Sequence, residues 1–304
     1  MIVVCGEALI DFVADGDGQF RPMPGGGPFN TAVALARLDV PTSFLGRLST
    51  DRFGGKLAGR LAADGVDLSL TSRGREPTTL AVAEVDGDGL ADYQFYFEAT
   101  SAPNLLPSML PARLDASITA LHVGTLGLLL EPMASTLYDL VERESAYRLV
   151  MLDPNVRQAL VADPGSYRAR ITRLMTQSTI VKASDADLAW LFPNLDYEAA
   201  AEQILDCGAR LVVVTLGVQG AFGAARGIHA RVTAPSVDVV DTIGAGDAFG
   251  AALLAWLHDH RALKTDLALG PADLESALRF ACLVASLTCT RAGAEPPRRA
   301  ALPG

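Results

Sequence analysis

Several features that mark common classes of protein are missing from this sequence of 304 residues. No run of Lys and Arg occurs, and the formal net charge is −10, which argues against binding to a nucleic-acid backbone. No apolar run reaches the roughly 18 residues that cross a membrane. The N-terminal MIVVCGEALIDF has no basic segment and reaches acidic residues early, so we expect neither a signal peptide nor a membrane partner.

Cysteine is scarce, and the motifs of several cofactor sites are absent. The four cysteines form no CxxC pair, and most lie in apolar runs typical of buried thiols, so we expect a reduced, cytoplasmic protein. The four histidines show no metal-type spacing with carboxylates. Neither the Walker sequence GxxxxGK[ST] nor the dinucleotide-binding GxGxxG is present, which disfavours a P-loop kinase and a Rossmann dehydrogenase.

What is present is an alternation of short β-branched runs with longer helical patterns. The short runs are apolar on both faces, as in parallel strands covered by helices. The alternation predicts an α/β fold in one domain over residues 1–304, a doubly wound and mostly parallel sheet with helices on both faces. The predicted strands cover residues 2–6, 42–48, 120–126, 148–153, 179–183 and 210–217, and the helical segments include 29–38, 53–65 and 133–144.

One region interrupts this alternation. Residues 78–99 contain two runs of β-formers on either side of DGDG, which predicts a hairpin. Together with residues 9–22 it would form a small antiparallel β lid, although an edge hairpin of the main sheet is equally compatible with the pattern. The polar, Pro-containing C-terminus AEPPRRAALPG is expected to fray.

The stretch DTIGAGDAFGAALLAW, residues 241–256, places glycines and an acid ahead of an apolar helix. The unpaired N–H groups at the start of a helix bind anions, and glycines leave them accessible, so a phosphate fits this position. Asp247 would lie in the first turn, where it could accept a proton from an attacking hydroxyl. The alternative is that the glycines only shape a turn and Asp247 complements the helix dipole.

The motifs occur in the order and spacing of a known family. GGGPFNTAVALARL, VKASDADLAWL, TLGVQGA, DTIGAGDAFGAAL and TRAGA together resemble the ribokinase-like sugar kinases, the PfkB family, over essentially the whole chain. GAGD is the most specific of these segments, and TLG is weak by itself. Within the family, GEALIDF, DPNVR and TTLAVAEVD are most similar to bacterial fructokinases.

The resemblance implies ATP-dependent transfer of a phosphoryl group to a sugar hydroxyl. It implies that Asp247 is the catalytic base and that backbone donors of an anion hole stabilise the transferring group. A carboxylate and an amide can bind adjacent sugar hydroxyls, and glycines allow close approach. The implied anion hole is Gly244, Ala245 and Gly246, and the implied sugar-binding residues are Asp11, Gly25, Gly26, Asn30, Asn155 and Arg157. Arg157 could clamp a phosphate or be an ordinary surface arginine.

Nucleotide and metal contacts are implied in the same way. Where the family has Asn-x-x-Glu at magnesium-bound phosphates, this chain has Ser184 and Asp187, which keep oxygen donors and allow a water-mediated Mg²⁺ contact. Ser184 could instead cap a helix, and Lys182 could face a phosphate or extend from the sheet end. The implied ATP-binding residues are Lys182, Ser184, Thr215, Gly217 and Gly220, although the last three also fit a tight β-to-α connection.

A monovalent cation site is the last implied feature. Asp241 matches a cation-linked position of the family, and the alternative is that it caps the DTIG turn. Backbone carbonyls near Ile243, Thr288, Arg291 and Gly293 would complete a K⁺ site.

The sequence thus predicts a carbohydrate kinase that uses ATP and Mg²⁺, with D-fructose as the first choice of substrate. The alternatives are 2-keto-3-deoxygluconate, ribose or a nucleoside as substrate, or a non-catalytic sugar or nucleotide sensor. The lid, with Phe95 and Phe97, would select the sugar and exclude water. Exposed lid strands predict a homodimer formed through the lid.

Overall fold

The computed structural model of the protein describes residues 1–15, 19–85 and 91–303. The DGDG turn of the predicted hairpin lies outside these residues. The strands are β1 (Ile2–Cys5), β2 (Leu9–Asp15), β3 (Gln19–Gly25), β4 (Thr42–Leu45), β5 (Arg47–Ser49), β6 (Ser72–Gly74), β7 (Leu80–Val85), β8 (Ala91–Tyr96), β9 (Ala120–Gly124), β10 (Leu149–Asp153), β11 (Ile180–Ser184), β12 (Leu211–Thr215), β13 (Ala221–Ala225) and β14 (Ile228–Val232).

The three segments predicted as helical, 29–38, 53–65 and 133–144, are helical in the structure, and several helices begin at identifiable caps. Asp51, Asp163 and Asp196 each accept a hydrogen bond from a backbone N–H of the first turn that follows. The α-helices are α1 (Gly27–Arg37), α2 (Arg52–Asp64), α3 (Met133–Glu144), α4 (Pro164–Gln177), α5 (Asp185–Leu191), α6 (Tyr197–Asp206), α7 (Ala245–Asp259) and α8 (Pro271–Cys289).

The main sheet has eight strands in the order β14-β13-β12-β11-β10-β9-β1-β4. The pairings from β4 to β12 are parallel, and β13 and β14 add an antiparallel edge. The predicted doubly wound α/β fold is therefore confirmed. Because the strands are parallel, their carboxyl ends meet at one edge, where ligands of such sheets bind.

Both faces of the sheet are buried. Side chains alternate along each strand, so that Ile2 and Val4 lie in the core under α1, α7 and α8, while Val3 and Cys5 lie in the core under α3 to α6. No helix in the described ranges is long and apolar enough to cross a membrane.

The predicted lid is a separate four-stranded sheet in the order β3-β2-β7-β8. Its two hairpins are antiparallel, as expected, and the first extends to Gly25 rather than ending near residue 22. The two hairpins are joined by a parallel pairing of β2 with β7, which the sequence pattern did not indicate. The alternative of an edge hairpin on the main sheet is wrong.

The predicted strand over residues 42–48 is divided at Gly46. β4 belongs to the main sheet, whereas β5 pairs with β6 in a separate two-stranded sheet. A side chain at position 46 would overlap the carbonyl oxygen of Gly6 and the ring of Phe44. The break between β4 and β5 therefore requires glycine at this position. The strand predicted over 120–126 also ends early, because Thr125 has a φ of 54° and turns the chain.

The C-terminal segment is held by ion pairs of Glu295 and Arg298, contrary to the sequence expectation that it frays. Arg37 of α1 and Arg60 of α2 each donate to both Asp64 and Glu295 over distances of 2.7–3.0 Å. Arg298 donates to Asp64 at 2.7 Å. These five residues, which we call the tail cluster, form ion pairs that hold the chain end against α1 and α2.

Candidate active site

The start of α7 supplies free backbone donors at the carboxyl edge of the main sheet. Gly244 caps the helix with a φ of 75°, a conformation suited to glycine, and a side chain there would overlap Ala294. The N–H of Ala245 already donates to the carbonyl of Thr242 at 3.2 Å. The N–H groups of Gly244, Gly246 and Asp247 have no partner within the described chain, so these donors are available to bind an anion.

Asp247 lies in the first turn of α7. Its Oδ2 accepts a hydrogen bond from Asn30 Nδ2 of α1 at 2.8 Å, which orients the carboxylate. Burial raises the pKa of Asp247 to about 6, while the hydrogen bond from Asn30 acts in the opposite direction. A carboxylate in this state remains largely ionised near neutral pH yet binds a proton more readily than an exposed one.

Asp241 fixes the loop that leads to α7. Its Oδ1 accepts from the N–H of Ile243 at 2.9 Å, and its Oδ2 accepts from the N–H of Gly293 at 2.7 Å. The first hydrogen bond is the cap of the DTIG turn, which was the alternative to a cation-binding role for Asp241. The second joins the loop before α7 to the segment after α8.

A cavity of about 430 Å³ lies beside Asp247 at the carboxyl edge of the sheet. Gly25 does not line this cavity. It leaves room for the carboxylate of Asp11, which a side chain at position 25 would overlap. Burial raises the pKa of Asp11 to about 7. The sequence-predicted residues that line this cavity are Asp11, Gly26, Asn30, Phe95, Asn155, Arg157, Lys182, Ser184, Asp187, Thr215, Ile243, Gly244, Gly246 and Asp247.

Two residues of this cavity have strained backbones. Thr125 and Asn155, which follow β9 and β10, have φ values of 54° and 38°. Asn155 Nδ2 donates to Thr125 Oγ1 at 3.3 Å, and its Oδ1 accepts from Arg157 Nη1 at 2.6 Å. Arg157 is therefore held toward the cavity rather than left free on the surface.

Glu7 is a cavity residue that the sequence did not single out. It is fully buried; its Oε2 accepts from the N–H of Gly127 at 3.0 Å, and its Oε1 has no partner among the described residues. Burial raises the pKa of Glu7 to about 7. The sequence signal for Glu7 was an acid two residues after the buried strand β1, at the sheet edge where the other cavity residues lie.

A second cavity, of about 410 Å³, lies on the other side of the α7 start. Thr215, Gly217 and Gly220 line it together with apolar side chains of α8 and of residues 234–239. Thr215, Thr242 and Gly246 line both cavities, so the two spaces meet at Gly246. This arrangement can place two ligands end to end across the free N–H groups of α7.

Ser184 and Asp187 form a reciprocal cap on α5. Ser184 Oγ accepts from the N–H of Asp187 at 3.0 Å, and Asp187 Oδ2 accepts from the N–H and hydroxyl of Ser184. Asp187 Oδ1 accepts from the N–H of Val156 at 2.7 Å. Ser184 therefore caps α5, as the alternative interpretation of the sequence held. A magnesium contact of Asp187 stays a prediction.

The residues predicted for a monovalent cation are only partly brought together. Asp241, Ile243 and Gly293 are linked by the hydrogen bonds of the Asp241 carboxylate. Neither cavity is lined by Thr288, Arg291 or Gly293. Within the described chain no group of three or more His, Cys, Asp or Glu could hold a metal ion.

Comparison with known proteins agrees with this architecture. The model of the pfkB family of carbohydrate kinases matches residues 1–301. A fructokinase from Rhizobium leguminosarum bv. trifolii is 41% identical over 261 residues, which cover 84% of this chain and 79% of that protein. The structure of a Vibrio cholerae O395 fructokinase with fructose, ADP and calcium bound has a TM-score of 0.83 and 29% identity, and covers 96% of this chain and 94% of its own.

A further structure, a Xylella fastidiosa fructokinase with bound ATP, has a TM-score of 0.90 and 27% identity, with coverage of 99% of this chain and 94% of its own. These similarities extend over the elements that form both cavities. Together with the family match along the chain, they show that this protein belongs to the pfkB family of carbohydrate kinases.

Proposed function

We propose that this protein transfers the γ-phosphoryl group of ATP to a hydroxyl of D-fructose. The observation that carries the proposal is the position of Asp247 where two cavities meet, beside backbone N–H groups that have no partner within the described chain. The choice of fructose is supported by the relative from Rhizobium leguminosarum, which is named a fructokinase, and by the Vibrio cholerae structure, which holds fructose and ADP.

Asp247 acts as the base in this mechanism. Its carboxylate accepts the proton of the attacking fructose hydroxyl, while the hydroxyl oxygen forms a bond to the γ-phosphorus. The bond between the γ-phosphorus and the bridging oxygen breaks, and ADP leaves. Asn30 keeps the carboxylate directed into the cavity through its 2.8 Å hydrogen bond.

Positive groups stabilise the charge on the transferring phosphoryl group. The N–H groups of Gly246 and Asp247 point toward it from the start of α7, and Lys182 and Arg157 line the same cavity. Because the Ala245 N–H is already used within the loop, the proposed anion hole keeps Gly244 and Gly246 of the implied residues and adds Asp247.

The sugar is bound in the 430 Å³ cavity between the sheet edge and the lid. Asp11 and Asn155 bind its hydroxyls, and the glycines at 25 and 26 allow the close approach. Phe95 of the lid lines this cavity and contributes to sugar selection. The lid excludes water, which limits hydrolysis of ATP.

The nucleotide occupies the second, mainly apolar cavity. Thr215, Gly217 and Gly220 contact it, and Gly217 and Gly220 have φ values of 56° and 98° that suit glycine. Asp187 would hold Mg²⁺ through water, and the ion would supply positive charge that neutralises the phosphates. A K⁺ ion near Asp241, Ile243, Thr288, Arg291 and Gly293 would support the anion hole.

Three further properties complete the proposal. The chain acts as one domain, the enzyme is a homodimer through its lid, and it works in the cytoplasm. Exposed aromatic side chains on both edge strands of the lid, Phe20 and Tyr96, support the dimer.

A coupled assay of ADP release tests the proposal. The panel contains D-fructose, 2-keto-3-deoxygluconate, ribose and nucleosides, each with Mg²⁺ and with or without K⁺. We expect fructose to have the highest kcat/KM. A higher value for another sugar would replace the substrate, and absence of turnover with all of them would favour the non-catalytic sensor.

The Asp247→Asn variant tests the role of the base. We expect kcat to fall by on the order of 10²- to 10⁴-fold, with fructose binding retained in calorimetry. Nearly full turnover in this variant would remove Asp247 from the mechanism.

A further inference from the structure

A buried ion pair lies directly beneath the start of α7. Lys182 Nζ of β11 donates to Asp153 Oδ2 of β10 at 2.8 Å, and the two side chains are only 5% and 3% exposed. The sequence drew attention to Lys182 but not to Asp153. Since the family match and the sugar assignment do not depend on Asp153, its role is a separate question.

The strand register directs this pair toward α7. Met151 and Ile180 are paired across β10 and β11 and belong to the core under α1, α7 and α8. Side chains two positions further along a strand point to the same face, which places Asp153 and Lys182 under the same helices.

Glycine on the inner face of α7 makes room for the ammonium group. A Cβ at Gly246 would lie 3.3 Å from Lys182 Nζ, and a Cβ one turn later, at Gly250, would lie 3.1 Å from Met151 Cε. The spacing of four puts both glycines on the side of α7 that faces the sheet. Lys182 Nζ is thereby fixed next to the residue whose N–H group is free.

The electrostatics of this position favour an anion. The N-terminus of a helix carries partial positive charge, and the Lys182 ammonium adds a full charge beside it, so the space next to both groups attracts an anion. Only one hydrogen bond of Lys182 Nζ, the one to Asp153, is made within the described chain, which leaves two N–H bonds for a ligand. Lys182 also lines the sugar-side cavity.

We propose that Asp153 is a positioning residue for phosphoryl transfer, which holds the Lys182 ammonium beneath Gly246 so that it can donate to the transferring phosphoryl group. This inference rests on the proposed function. A positioning role explains why a charged pair is buried here. For stability alone, apolar side chains of similar volume would serve equally well or better.

The pair also acts on the base. The negative charge of Asp153 raises the pKa of Asp247, and the positive charge of Lys182 lowers it. The other neighbour of Lys182 from the sheet, His122, is fully buried with a pKa lowered to about 3, so it is neutral at physiological pH. Other charged or polar groups near Asp247 include Glu7, Asp11, Asn30, Thr125 and Arg157, and the charge of Asp187 acts on both Asp153 and Lys182.

The Asp153→Asn variant separates positioning from stability. We expect kcat to fall by on the order of 10- to 100-fold, with the KM for fructose changed less than about threefold because Asp153 does not line the cavity. The acid limb of the pH profile of kcat/KM should move to lower pH, because Asp247 loses a negative neighbour and keeps Lys182. Unchanged kcat and an unchanged acid limb would overturn the inference.

A charge-free double variant, Asp153→Leu with Lys182→Met, provides the second test. We expect it to fold with a Tm at least that of the wild type, to bind fructose, and to be as slow as Lys182→Met alone. Near wild-type turnover in the double variant would overturn the inference. Failure of both Asp153→Asn and the double variant to fold would also overturn it, because it would show that the pair serves stability. Absence of kinase activity in the wild type would instead overturn the proposed function.

Discussion

The carboxylate of Asp11 lies over the backbone of Gly25, in the space that a side chain at position 25 would need. The two residues belong to paired strands of the lid, β2 and β3. At the scale of single residues, the proposed sugar site therefore depends on an absent side chain as much as on the acids and amides that bind hydroxyls.

The Gly25→Ala variant tests this dependence. Because the added methyl group overlaps Asp11 Oδ2, we expect the KM for fructose to rise by about tenfold or more, with the KM for ATP little changed. Steady-state kinetics with each substrate varied provides the measurement. Gly55→Ala in α2 is the matched control, since its added Cβ meets nothing within 4 Å and should leave both KM values unchanged.

Glu7 gives a prediction about pH. Its folded-state pKa of about 7 lies above the ordinary value of 4.5, so the folded protein binds this proton more tightly than the unfolded chain does. Its contribution to stability is full below about pH 4.5 and is lost as the pH rises through about 7. Glu7→Gln removes this loss, and we expect it to raise Tm relative to the wild type more at pH 8 than at pH 5.

Thermal unfolding without ligands at the two pH values measures this difference, with an expected size of about 1–3 kcal/mol. An equal change in Tm at both pH values would show that Glu7 has an ordinary pKa. The substituted amide side chain keeps an oxygen acceptor for the N–H of Gly127, so that bond is retained in the comparison.

The sequence predicted much of the candidate site at this scale because Asp247, Gly246 and Asn30 lie in compact motifs. It did not find Glu7, Thr125 or Asp153. Each of these follows or ends a buried strand, and its neighbours in space come from segments that are distant in the chain. Only the order of strands in the sheet brings such residues together.

At the scale of elements, the alternation of apolar runs was enough to predict α1, α2, α3 and most strands of the main sheet. The division at Gly46 was not visible, because the apolar pattern of residues 42–48 continues through it. The tail cluster was also missed. Its five members come from α1, α2 and the C-terminal segment, and a Pro-containing polar terminus has no local pattern that indicates such pairing.

The tail cluster also connects the chain end to the loop that precedes α7. Glu295 follows Ala294, which packs against Gly244, and Gly293, which donates to Asp241. Although burial acts to raise it, hydrogen bonds from Arg60 and Arg37 keep the pKa of the Glu295 carboxyl below its usual value. Its contribution to stability is therefore present above the ordinary pKa and is lost as the pH falls below it.

The Glu295→Ala variant should therefore lower both stability and turnover. We expect a loss of about 1–2 kcal/mol in the free energy of unfolding, since Glu295 is partly exposed, and a larger effect on kcat than on the KM for fructose. Chemical denaturation and steady-state kinetics measure the two effects. Glu142→Ala, which removes an exposed ion pair with Arg173, should change neither by a measurable amount.

At the scale of the whole molecule, the lid sheet lies apart from the main sheet and presents two edge strands, β3 and β8. Phe20 on one edge is 44% exposed, and Tyr96 on the other is 50% exposed. Unpaired edges with exposed aromatic side chains favour association with a second lid.

The double variant Phe20→Ser with Tyr96→Ser tests the proposed dimer. Light scattering after size-exclusion chromatography should show a dimer for the wild type and a monomer for the variant. Tyr147→Ser is the matched control, because Tyr147 is 80% exposed at the end of α3, outside the lid strands. A monomeric wild type, or a variant that remains dimeric, would reject this interface.

The two cavities share Thr215, Thr242 and Gly246 and have similar volumes of about 430 and 410 Å³. Their common boundary gives inhibitor design a defined target. A bisubstrate compound, in which a short phosphate linker joins a polyol to a purine nucleoside, would span both spaces and cross at Gly246. Tethering the two halves raises the local concentration of each, so such a compound would bind far more tightly than either fragment does separately.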